Sequence, residues 1–332
     1  MILVTGGCGY IGSHIILNLI KNKYDVISLD NLSNSSIKSV DKINLISGKK
    51  LNFIKGDLRN KLILEEIFSN NNIDTVIHLA GLKSLEESFR EPLNYFTNNI
   101  IGSINLINSM LERDTKNIIF SSTATVYNHN HNPPWTEELE IQMPENPYAQ
   151  TKYIVEEILK TTSATAKLNV GILRYFNPIG GHESGIIGEN VSSKATNLVP
   201  SIIKVLKGEK KHLEVYGDDY DTPDGSAIRD YIHISDLVEG HIKALKYITK
   251  KGGYNVWNLG TGRGYSVFEI LKYFEELSKT KIPIKKNARR KGDLKEFWAD
   301  TRKANKELNF NAKHNIKQMI SDSLLFINKN NK

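Results

Sequence analysis

Runs of apolar, mostly β-branched residues recur along the first half of the chain, and stretches with helical hydrophobic spacing separate them. The runs cover residues 2–4, 26–29, 76–79, 118–120 and 170–173. Their hydrophobicity is continuous rather than alternating, which is typical of strands buried on both faces of a parallel sheet. The pattern therefore predicts an α/β fold with a doubly wound parallel sheet of the Rossmann type.

The second half of the chain shows a different pattern, because the regular alternation weakens after Asn177. Residues 178–193 are rich in Gly and Ser and predict a long loop. Beyond it we expect shorter elements, including a strand at residues 213–216 and a helix at residues 236–249. We predict a larger domain at residues 1–176 and a smaller C-terminal α/β lobe at residues 177–332, with chain crossings between them.

The composition fits a folded protein with a substantial core, since 39% of the 332 residues are hydrophobic and 24% are charged. The chain has no run of about 18 apolar residues. Its first strand follows Met1 directly, so we expect no signal peptide, no membrane span and a cytoplasmic location. The single cysteine, Cys8, excludes an internal disulfide and agrees with a reducing compartment.

The net charge of +7 raises the question of nucleic-acid binding. Lys and Glu are interspersed, and aromatic residues do not alternate with basic clusters, so we expect no nucleic-acid partner. A mildly positive surface favours anionic small substrates instead.

His129 and His131 lie in an Asn-rich stretch without nearby carboxylates or thiols, which predicts a solvated loop and no metal.

A glycine-rich turn follows the first strand and opens a helical pattern. Gly6, Gly9 and Gly12 have the spacing G-x-x-G-x-x-G. This spacing permits a tight turn, close approach of a pyrophosphate, and close packing of the helix on the strand at the positive helix N-terminus. The alternative is an ordinary glycine-rich turn without a ligand.

Asp30 ends the second predicted strand, about twenty residues after the glycine turn. A carboxylate at this position can accept hydrogen bonds from a ribose 2′-hydroxyl and would repel a 2′-phosphate. No Arg occurs at residues 31–39, so the sequence favours NAD over NADP. Taken alone, Asp30 could also be a turn residue or a helix N-cap.

A tyrosine and a lysine lie on a helical stretch after the strand at residues 118–120. Tyr148 and Lys152 are four residues apart and share one helix face. A nearby ammonium stabilises a phenolate and lowers the pKa of the tyrosine, an effect that a positively charged cofactor would reinforce. Tyr148 could therefore act as a base near neutral pH. A surface pair on a helix is the alternative, but the hydroxyl-bearing strand end at residues 121–125 favours catalysis.

Together these motifs resemble the extended short-chain dehydrogenase/reductase superfamily and, within it, the UDP-glucose 4-epimerase family. The resemblance covers nearly the whole chain and is carried by residues 4–14, 29–34, 56–57, 78–83, 121–127, 147–152, 173–178, 229–233 and 289–293. It implies reversible epimerisation of UDP-glucose and UDP-galactose at sugar carbon 4, by transient hydride transfer to tightly bound NAD through a 4-keto sugar.

The resemblance also implies a role for individual positions. Thr123, Tyr148 and Lys152 would be catalytic. The positions that would contact NAD are Gly6, Gly9, Tyr10, Ile11, Gly12, Asp30, Asn31, Asn34, Ser35, Asp57, Leu58, Leu79, Ala80, Gly81, Lys83, Asn98, Tyr148, Lys152, Tyr175 and Phe176. The positions that would contact the UDP-sugar are Lys83, Thr123, Tyr148, Asn177, Asn197, Leu198, Tyr216, Arg229, Arg290, Asp293 and Phe297.

Some of these positions have structural alternatives or depart from the family pattern. Arginine suits diphosphate oxygens, but Arg229 could pair with Asp230 at the surface, and Asn177 could form a turn before Pro178. Thr123 stands where many relatives carry Ser, and either residue supplies a hydroxyl. Leu79 replaces a common aromatic residue, and residues 128–132 replace a shorter loop.

Two other functions compete with epimerisation. A nucleotide-sugar 4,6-dehydratase of the same fold begins with the same oxidation but needs an acidic pair beside its catalytic threonine. Here Ala124 and Thr125 follow Thr123, so the acid and base for elimination are missing. A non-catalytic dinucleotide-binding regulator would not need Tyr148 and Lys152, and both are present.

The resemblance further implies a homodimer that pairs two helices per subunit, and a sugar-selective wall. Helical spacing marks the first helix at Leu93, Phe96, Ile100, Ile101, Ile104, Ile107 and Leu111, and the second at Ile154, Val155, Ile158 and Leu159. These stripes could instead face only the sheet.

Phe297 would face the sugar 2-position, where its bulk excludes an N-acetyl group. The alternative is a core aromatic residue beside Trp298.

Overall fold

The computed structural model describes residues 1–127, 131–190, 197–290 and 293–330. Within these ranges the strands are β1 (Ile2–Thr5), β2 (Val26–Asp30), β3 (Asn52–Lys55), β4 (Thr75–His78), β5 (Asn117–Thr123), β6 (Asn169–Tyr175), β7 (Asn177–Ile179), β8 (Leu213–Tyr216), β9 (Ile228–His233), β10 (Tyr254–Leu259), β11 (Gly264–Ser266), β12 (Ile284–Asn287) and β13 (Glu296–Phe297). The α-helices are α1 (Tyr10–Lys21), α2 (Lys38–Ser47), α3 (Lys61–Asn70), α4 (Leu85–Arg90), α5 (Pro92–Tyr95), α6 (Gly102–Glu112), α7 (Pro147–Ala166), α8 (Leu198–Leu206), α9 (Ile234–Lys251), α10 (Val267–Ser278), α11 (Arg302–Leu308) and α12 (Ile316–Asn330). None of these described helices is long and apolar enough to cross a membrane.

Seven strands of the described chain form one sheet in the order β10-β6-β5-β4-β1-β2-β3, with every pair parallel. β1, β2 and β4 are buried at every position, as continuous apolar runs require when helices cover both faces of a sheet. The direction of strand order reverses between β1 and β4. The predicted doubly wound Rossmann sheet is therefore confirmed, and a ligand crevice is expected at this reversal.

Two strands of the large sheet were not among the predicted runs. β3 is an edge strand whose first and last residues, Asn52 and Lys55, are exposed, so its sequence lacks a continuous apolar run. β10 lies far beyond residue 177 in the chain but pairs with β6 in the large sheet. The division into parts at residues 1–176 and 177–332 stays a prediction.

Four of the remaining strands form a second sheet around β9, which pairs parallel with β7 and β13 and antiparallel with β11. β8 pairs parallel with β12. A separate apolar core includes Ile202, Tyr231, Phe274 and Met319. The predicted strand at 213–216 is β8, and the predicted helix at 236–249 lies within α9, so both are confirmed. The predicted loop at 178–193 begins inside β7, and residues 191–193 lie outside the described ranges.

The segment from Leu93 to Leu111 is not one α-helix, because a π-helical turn at Phe96–Ile101 joins α5 to α6. A π turn holds more residues than an α turn and so rotates the following apolar positions around the helix axis. Ile107 is consequently buried, whereas Leu93 is 78% exposed and Ile101 is also exposed. Part of the predicted stripe therefore faces the core, and part stays at the surface.

A buried ion pair fastens α7 to the sheet. The helix begins at Pro147, and the side chain of Asn146 caps it by accepting a hydrogen bond from the Ala149 backbone. Two turns into the helix, Glu156 Oε2 lies 2.6 Å from Nη2 of Arg174 on β6, and both side chains are buried. Ser122 of β5 donates a hydrogen bond to the same carboxylate. The carboxylate thus links the helix to two neighbouring strands.

We expect Glu156→Gln to lower the free energy of unfolding by about 3 kcal/mol, because it leaves Arg174 as a buried charge without a counterion. Urea unfolding followed by circular dichroism measures this change. The matched control is Glu276→Gln, which breaks the exposed 2.8 Å pair with Lys317 and should leave stability nearly unchanged. Equal, small effects of both substitutions would contradict the prediction.

Candidate active site

The glycine loop between β1 and α1 packs its backbone against the end of β4. A Cβ at Gly6 would lie 2.8 Å from the Ala80 nitrogen, and a Cβ at Gly12 would lie 2.7 Å from the Gly7 Cα. Gly6 also has φ of 70°, so a side chain would be strained there. Gly9 is the N-cap of α1 and makes no side-chain cap, so no side chain competes with an anion for this helix N-terminus.

The Asp30 carboxylate lies beside this loop at the end of β2. It accepts hydrogen bonds from the backbone nitrogens of Cys8, at 2.9 Å, and Leu32, at 2.8 Å, and from the Ser35 hydroxyl at 2.8 Å. The bond to Leu32 is the local turn that the sequence left open for Asp30, whereas the bond to Cys8 ties the carboxylate to the glycine loop. The turn therefore holds the carboxylate next to the loop rather than competing with a ligand role.

A second polar group follows at the end of β3. Asn31 donates to Asp57 at 2.9 Å, and Arg59 pairs with the same carboxylate at 2.7 Å. The hydrogen bond from Arg59 is the largest cause that holds the pKa of Asp57 well below its usual range. This carboxylate is therefore ionised, and it continues the polar lining that starts at Asp30.

The predicted catalytic residues meet where β5 ends against α7. Tyr148 forms a side-chain hydrogen bond with Thr123. Lys152 lies one turn further along α7, is 5% exposed, and donates from Nζ to the Ser121 carbonyl at 2.8 Å. The structure thus brings the hydroxyl of Thr123, the phenol of Tyr148 and the ammonium of Lys152 to one edge of the sheet.

Burial is the largest influence on the pKa values of Tyr148 and Lys152. It raises the pKa of Tyr148 to about 12, and the hydrogen bond with Thr123 opposes this shift. Burial also lowers the pKa of Lys152 to about 8, and the charge of Glu156 opposes that shift. The sequence predicted a lowered tyrosine pKa. In the structure the pKa of Tyr148 is raised instead, because the cost of removing the phenolate from water exceeds the stabilisation that Thr123 provides. The Lys152 ammonium is hydrogen-bonded to the Ser121 carbonyl.

Asn99 forms a structural link that the sequence did not indicate. Its side chain accepts from the Leu82 nitrogen at 2.8 Å and donates to the Leu82 carbonyl at 3.0 Å and to the Thr151 hydroxyl at 2.9 Å. It therefore joins the loop after β4 to α7, beside Lys152. The signal in the sequence was an amide at the centre of an apolar helical stretch, which needs buried partners.

A second group of charged and aromatic side chains lies on β8, on β9 and in the chain leading into β13. Arg229 pairs with Asp293, and its guanidinium lies 4.8 Å from the ring centroid of Phe297. The Arg290 guanidinium lies 4.0 Å from the ring centroid of Tyr216. Arg229, Asp293 and Phe297 thus form one cluster, and Arg290 and Tyr216 form a second pair, although residues 216 to 297 are far apart in sequence. Arg229 pairs with Asp293 rather than with its sequence neighbour Asp230.

The other predicted positions fall into groups that follow the strand ends. Tyr10 and Ile11 open α1; Asn31, Asn34 and Ser35 follow β2; Leu58 follows β3; Leu79, Ala80, Gly81 and Lys83 follow β4; Asn98 lies in the π-helical turn; Tyr175 and Phe176 lie at the end of β6; Asn177 is in β7; Asn197 and Leu198 begin α8. Leu58 is packed in the core of the large sheet, and Asn34 is exposed. Lys83 contacts Glu189 at 3.3 Å.

The described residues contain no group of three or more His, Cys, Asp or Glu side chains placed to hold a metal ion. The predicted histidine pair cannot be placed as a pair, because His129 lies outside the described ranges. His131 is described, and its backbone carbonyl accepts a hydrogen bond from the Trp135 indole at 3.1 Å.

Known proteins resemble this chain over almost its full length. The family model for GDP-mannose 4,6 dehydratase matches residues 3–323. The UDP-glucose 4-epimerase of Yersinia enterocolitica is 47% identical over 97% of this chain and 96% of its own length. The UDP-glucose 4-epimerase of Bacillus subtilis is 44% identical over 97% of this chain and 95% of its own length.

Solved structures agree with the sequence comparison. The UDP-glucose 4-epimerase from Bifidobacterium longum, in complex with NAD+ and UDP, has a TM-score of 0.95 and 44% identity, covering 99% of this chain and 98% of that chain. The enzyme from Stenotrophomonas maltophila, with bound NAD and formylated UDP-arabinopyranose, has a TM-score of 0.96 and 37% identity over 99% and 98% of the two chains. With this fold and this arrangement of Thr123, Tyr148 and Lys152, the chain belongs to the UDP-glucose 4-epimerase family.

Proposed function

We propose that this protein interconverts UDP-glucose and UDP-galactose at sugar carbon 4 with NAD as its cofactor. The observation that carries the proposal is the meeting of Thr123, Tyr148 and Lys152 at the edge of the sheet where the glycine loop also lies. Relatives that share 43–47% identity are UDP-glucose 4-epimerases, and structurally similar members have been solved with NAD. Fold, motif geometry and relationship therefore support the same reaction.

The residues around the glycine loop fit a dinucleotide. A Cβ at Gly6 or Gly12 would strike backbone atoms, so only glycine permits this tight turn, and no side chain caps the start of α1, where a pyrophosphate would bind. Asp30 presents an acceptor for ribose hydroxyls, and its charge would repel the 2′-phosphate of NADP. Asn31 and Asp57 extend this polar lining. We propose that these residues and Lys152 hold NAD.

Tyr148 is the proposed proton acceptor for the sugar 4-hydroxyl, and Thr123 orients that hydroxyl through its own. Bound NAD would supply reversible hydride acceptance, taking up the C4 hydride and giving it back to the opposite face of the 4-keto sugar. The phenolate form of Tyr148 is stabilised by Thr123, and the ammonium of Lys152 and a positively charged nicotinamide would favour it further. Protonated Tyr148 then returns its proton to the 4-oxygen.

The UDP portion is proposed to bind against the second half of the chain. Arg229 and Arg290 carry the positive charge that diphosphate oxygens require. Tyr216 offers an aromatic ring beside Arg290, and Asp293 fixes the orientation of Arg229. The smaller lobe at residues 177–332 supplies this half of the site in our proposal, and a cytoplasmic location also stays a prediction.

A dehydratase function is not favoured, although the matching family model is described by such an enzyme. Elimination of water after the first oxidation needs an acid and a base beside the catalytic threonine. The residues that follow Thr123 are Ala124, which is buried in an aromatic cluster, and Thr125, whose hydroxyl contacts that of Thr123 at 3.0 Å. Neither residue can supply a carboxyl proton.

The proposal as a whole is tested by incubating the purified protein and NAD with UDP-galactose and following the nucleotide sugars by NMR. We expect UDP-glucose to accumulate until the two sugars reach equilibrium, without net formation of NADH. Recovery of unchanged UDP-galactose would refute the proposed reaction. Formation of a 4-keto-6-deoxy sugar would instead establish the dehydratase.

Tyr148→Phe should keep the binding of NAD and UDP-sugars but lower turnover by on the order of 100-fold or more, because only the proton acceptor is removed. Steady-state rates and ligand titrations separate the two effects. Tyr153→Phe, on the same helix, is the matched control and should retain turnover. If Tyr148→Phe retained most of its activity, another group would be the base.

The acid limb of the pH–rate profile should move to higher pH in Thr123→Ala. The hydrogen bond from Thr123 lowers the pKa of Tyr148, so its removal raises that pKa and reduces the phenolate fraction at any given pH. Thr123→Ser keeps a hydroxyl and should restore the profile. A lower rate in Thr123→Ala with an unmoved acid limb would show that Thr123 does not tune the tyrosine.

Phe297→Ser should raise kcat/KM for UDP-N-acetylglucosamine relative to UDP-glucose by about tenfold or more, because it opens space at the sugar 2-position. Phe297→Tyr keeps the ring and should leave the ratio near that of the unmodified protein. If the unmodified protein already processed both sugars with comparable kcat/KM, Phe297 would not be the selective wall.

We propose that the protein is a homodimer. Phe89 and Leu93 expose apolar side chains beside α7, and an open groove of 460 Å³ follows the outer face of α7 along Met143, Ile154 and Ile158. Analytical ultracentrifugation at micromolar concentration should give the mass of two chains, and Ile154→Glu should shift it to one. If the unmodified protein sediments as a monomer, the apolar positions on these helices pack only within one chain and form no dimer interface.

A further inference from the structure

We infer that Trp135 determines the sugar selectivity of the site by holding the Phe297 ring in position. Trp135 was not among the residues that the sequence indicated for the site. The inference rests on the proposed function, since it assigns a positioning residue to the wall that would face the sugar 2-position.

The Phe297 ring is 9% exposed and contacts an indole, a guanidinium and a second phenyl ring of the described chain. The Trp135 ring stacks on it with the centroids 5.3 Å apart and the planes at 10°. The Arg229 guanidinium lies 4.8 Å from the ring centroid, and the Phe176 ring lies 5.7 Å away at an angle of 45°. Of the two ring contacts, the one with Trp135 is the shorter and the more nearly parallel, so it restricts tilting of the Phe297 ring more directly than Phe176 does.

Trp135 is itself fixed by its backbone, which pairs with the chain just after Phe297. Its nitrogen donates to the Trp298 carbonyl at 2.9 Å, and its carbonyl accepts from the Asp300 nitrogen at 2.8 Å. The carbonyl also accepts from the Asn258 side chain at 2.8 Å. Trp135 is 1% exposed, so its indole has no open space into which it could move.

A fixed indole behind the Phe297 ring has a specific consequence for substrate choice. An N-acetyl group at the sugar 2-position needs more room than a hydroxyl, and Phe297 could provide that room only by turning away from the sugar. The indole stacked on one face of the ring blocks rotation of the ring toward that face. A smaller residue at position 135 therefore relieves the restriction even when Phe297 itself is unchanged.

A purely structural role makes a different prediction. If Trp135 only fills the core, its truncation lowers stability and activity toward every UDP-sugar by the same factor. The ratio of kcat/KM between an N-acetylated and a plain UDP-sugar cancels such a common loss. This ratio is therefore the readout that separates positioning from packing.

The experiment compares this ratio, for UDP-N-acetylgalactosamine over UDP-galactose, in Trp135→Leu and in the milder Trp135→Phe. We expect Trp135→Leu to raise the ratio by on the order of tenfold, and Trp135→Phe to raise it by less. The matched control is Trp257→Phe, because Trp257 is also fully buried but lies in β10, where its indole donates to Glu307 at 2.7 Å. The control should lower thermal stability without changing the ratio.

A double substitution completes the test. When Phe297→Ser has already removed the ring, Trp135→Leu should give no further rise, because the ring through which Trp135 acts is absent. An unchanged ratio in both Trp135 variants, with UDP-galactose still epimerised, would overturn the inference and leave the proposed function intact. Equal and additive rises in the Phe297→Ser background would also overturn it. If the unmodified protein does not epimerise UDP-galactose at all, the proposed function is refuted, and the inference with it.

Discussion

The catalytic side of this molecule depends on the buried ion pair between Glu156 and Arg174. Tyr148 and Lys152 precede Glu156 by two turns and one turn on α7, so fixing Glu156 also fixes how the helix is rotated about its axis. The same carboxylate accepts from Ser122, the neighbour of Thr123 on β5. A buried ion pair is tolerated only when its remaining polar atoms are satisfied, and Arg174 meets this need by donating to the Tyr127 hydroxyl at 3.1 Å. One network therefore holds both the helix of the tyrosine and the strand of the threonine.

Burial disfavours the charged forms of Tyr148 and Lys152, although the proposed reaction needs the tyrosine as a phenolate. Burial raises the pKa of Tyr148 to about 12 and lowers the pKa of Lys152 to about 8, and both shifts favour the neutral forms. The neighbours act in the other direction, since the Thr123 hydrogen bond favours the phenolate and the Glu156 charge favours the ammonium. The site is thus arranged so that an additional positive charge beside the phenol tips the balance toward the base form. A positively charged nicotinamide held beside the phenol would supply such a charge, so proton abstraction by Tyr148 would be favoured when NAD is in its oxidised form.

The sequence could predict the parallel half of the fold because strands buried on both faces appear as unbroken apolar runs. It could not predict β3, whose exposed edge interrupts such a run, or the π-helical turn, which leaves no local signal. Glycine spacing and the Tyr148–Lys152 pair indicated the site because both are local patterns. The partners Glu156 and Arg174 are 18 residues apart, and only an arginine within an apolar run hinted at a buried counterion. Trp135 was missed because its contacts exist only after distant strands have paired.

Strand pairing also explains why the two ends of the candidate substrate site are not independent. β13 pairs with β9 so that Phe297 lies opposite Arg229. Next to Arg229, the Asp230 carboxylate accepts from the backbone nitrogens of Gly262, at 3.0 Å, and Ala299, at 3.1 Å, and so anchors the chain just beyond Phe297. The arginine proposed for the diphosphate and the ring proposed for the sugar wall are therefore positioned by the same pair of strands. A change that shifts β13 along β9 must alter both, so selectivity for the sugar cannot be assigned to the Phe297 side chain alone.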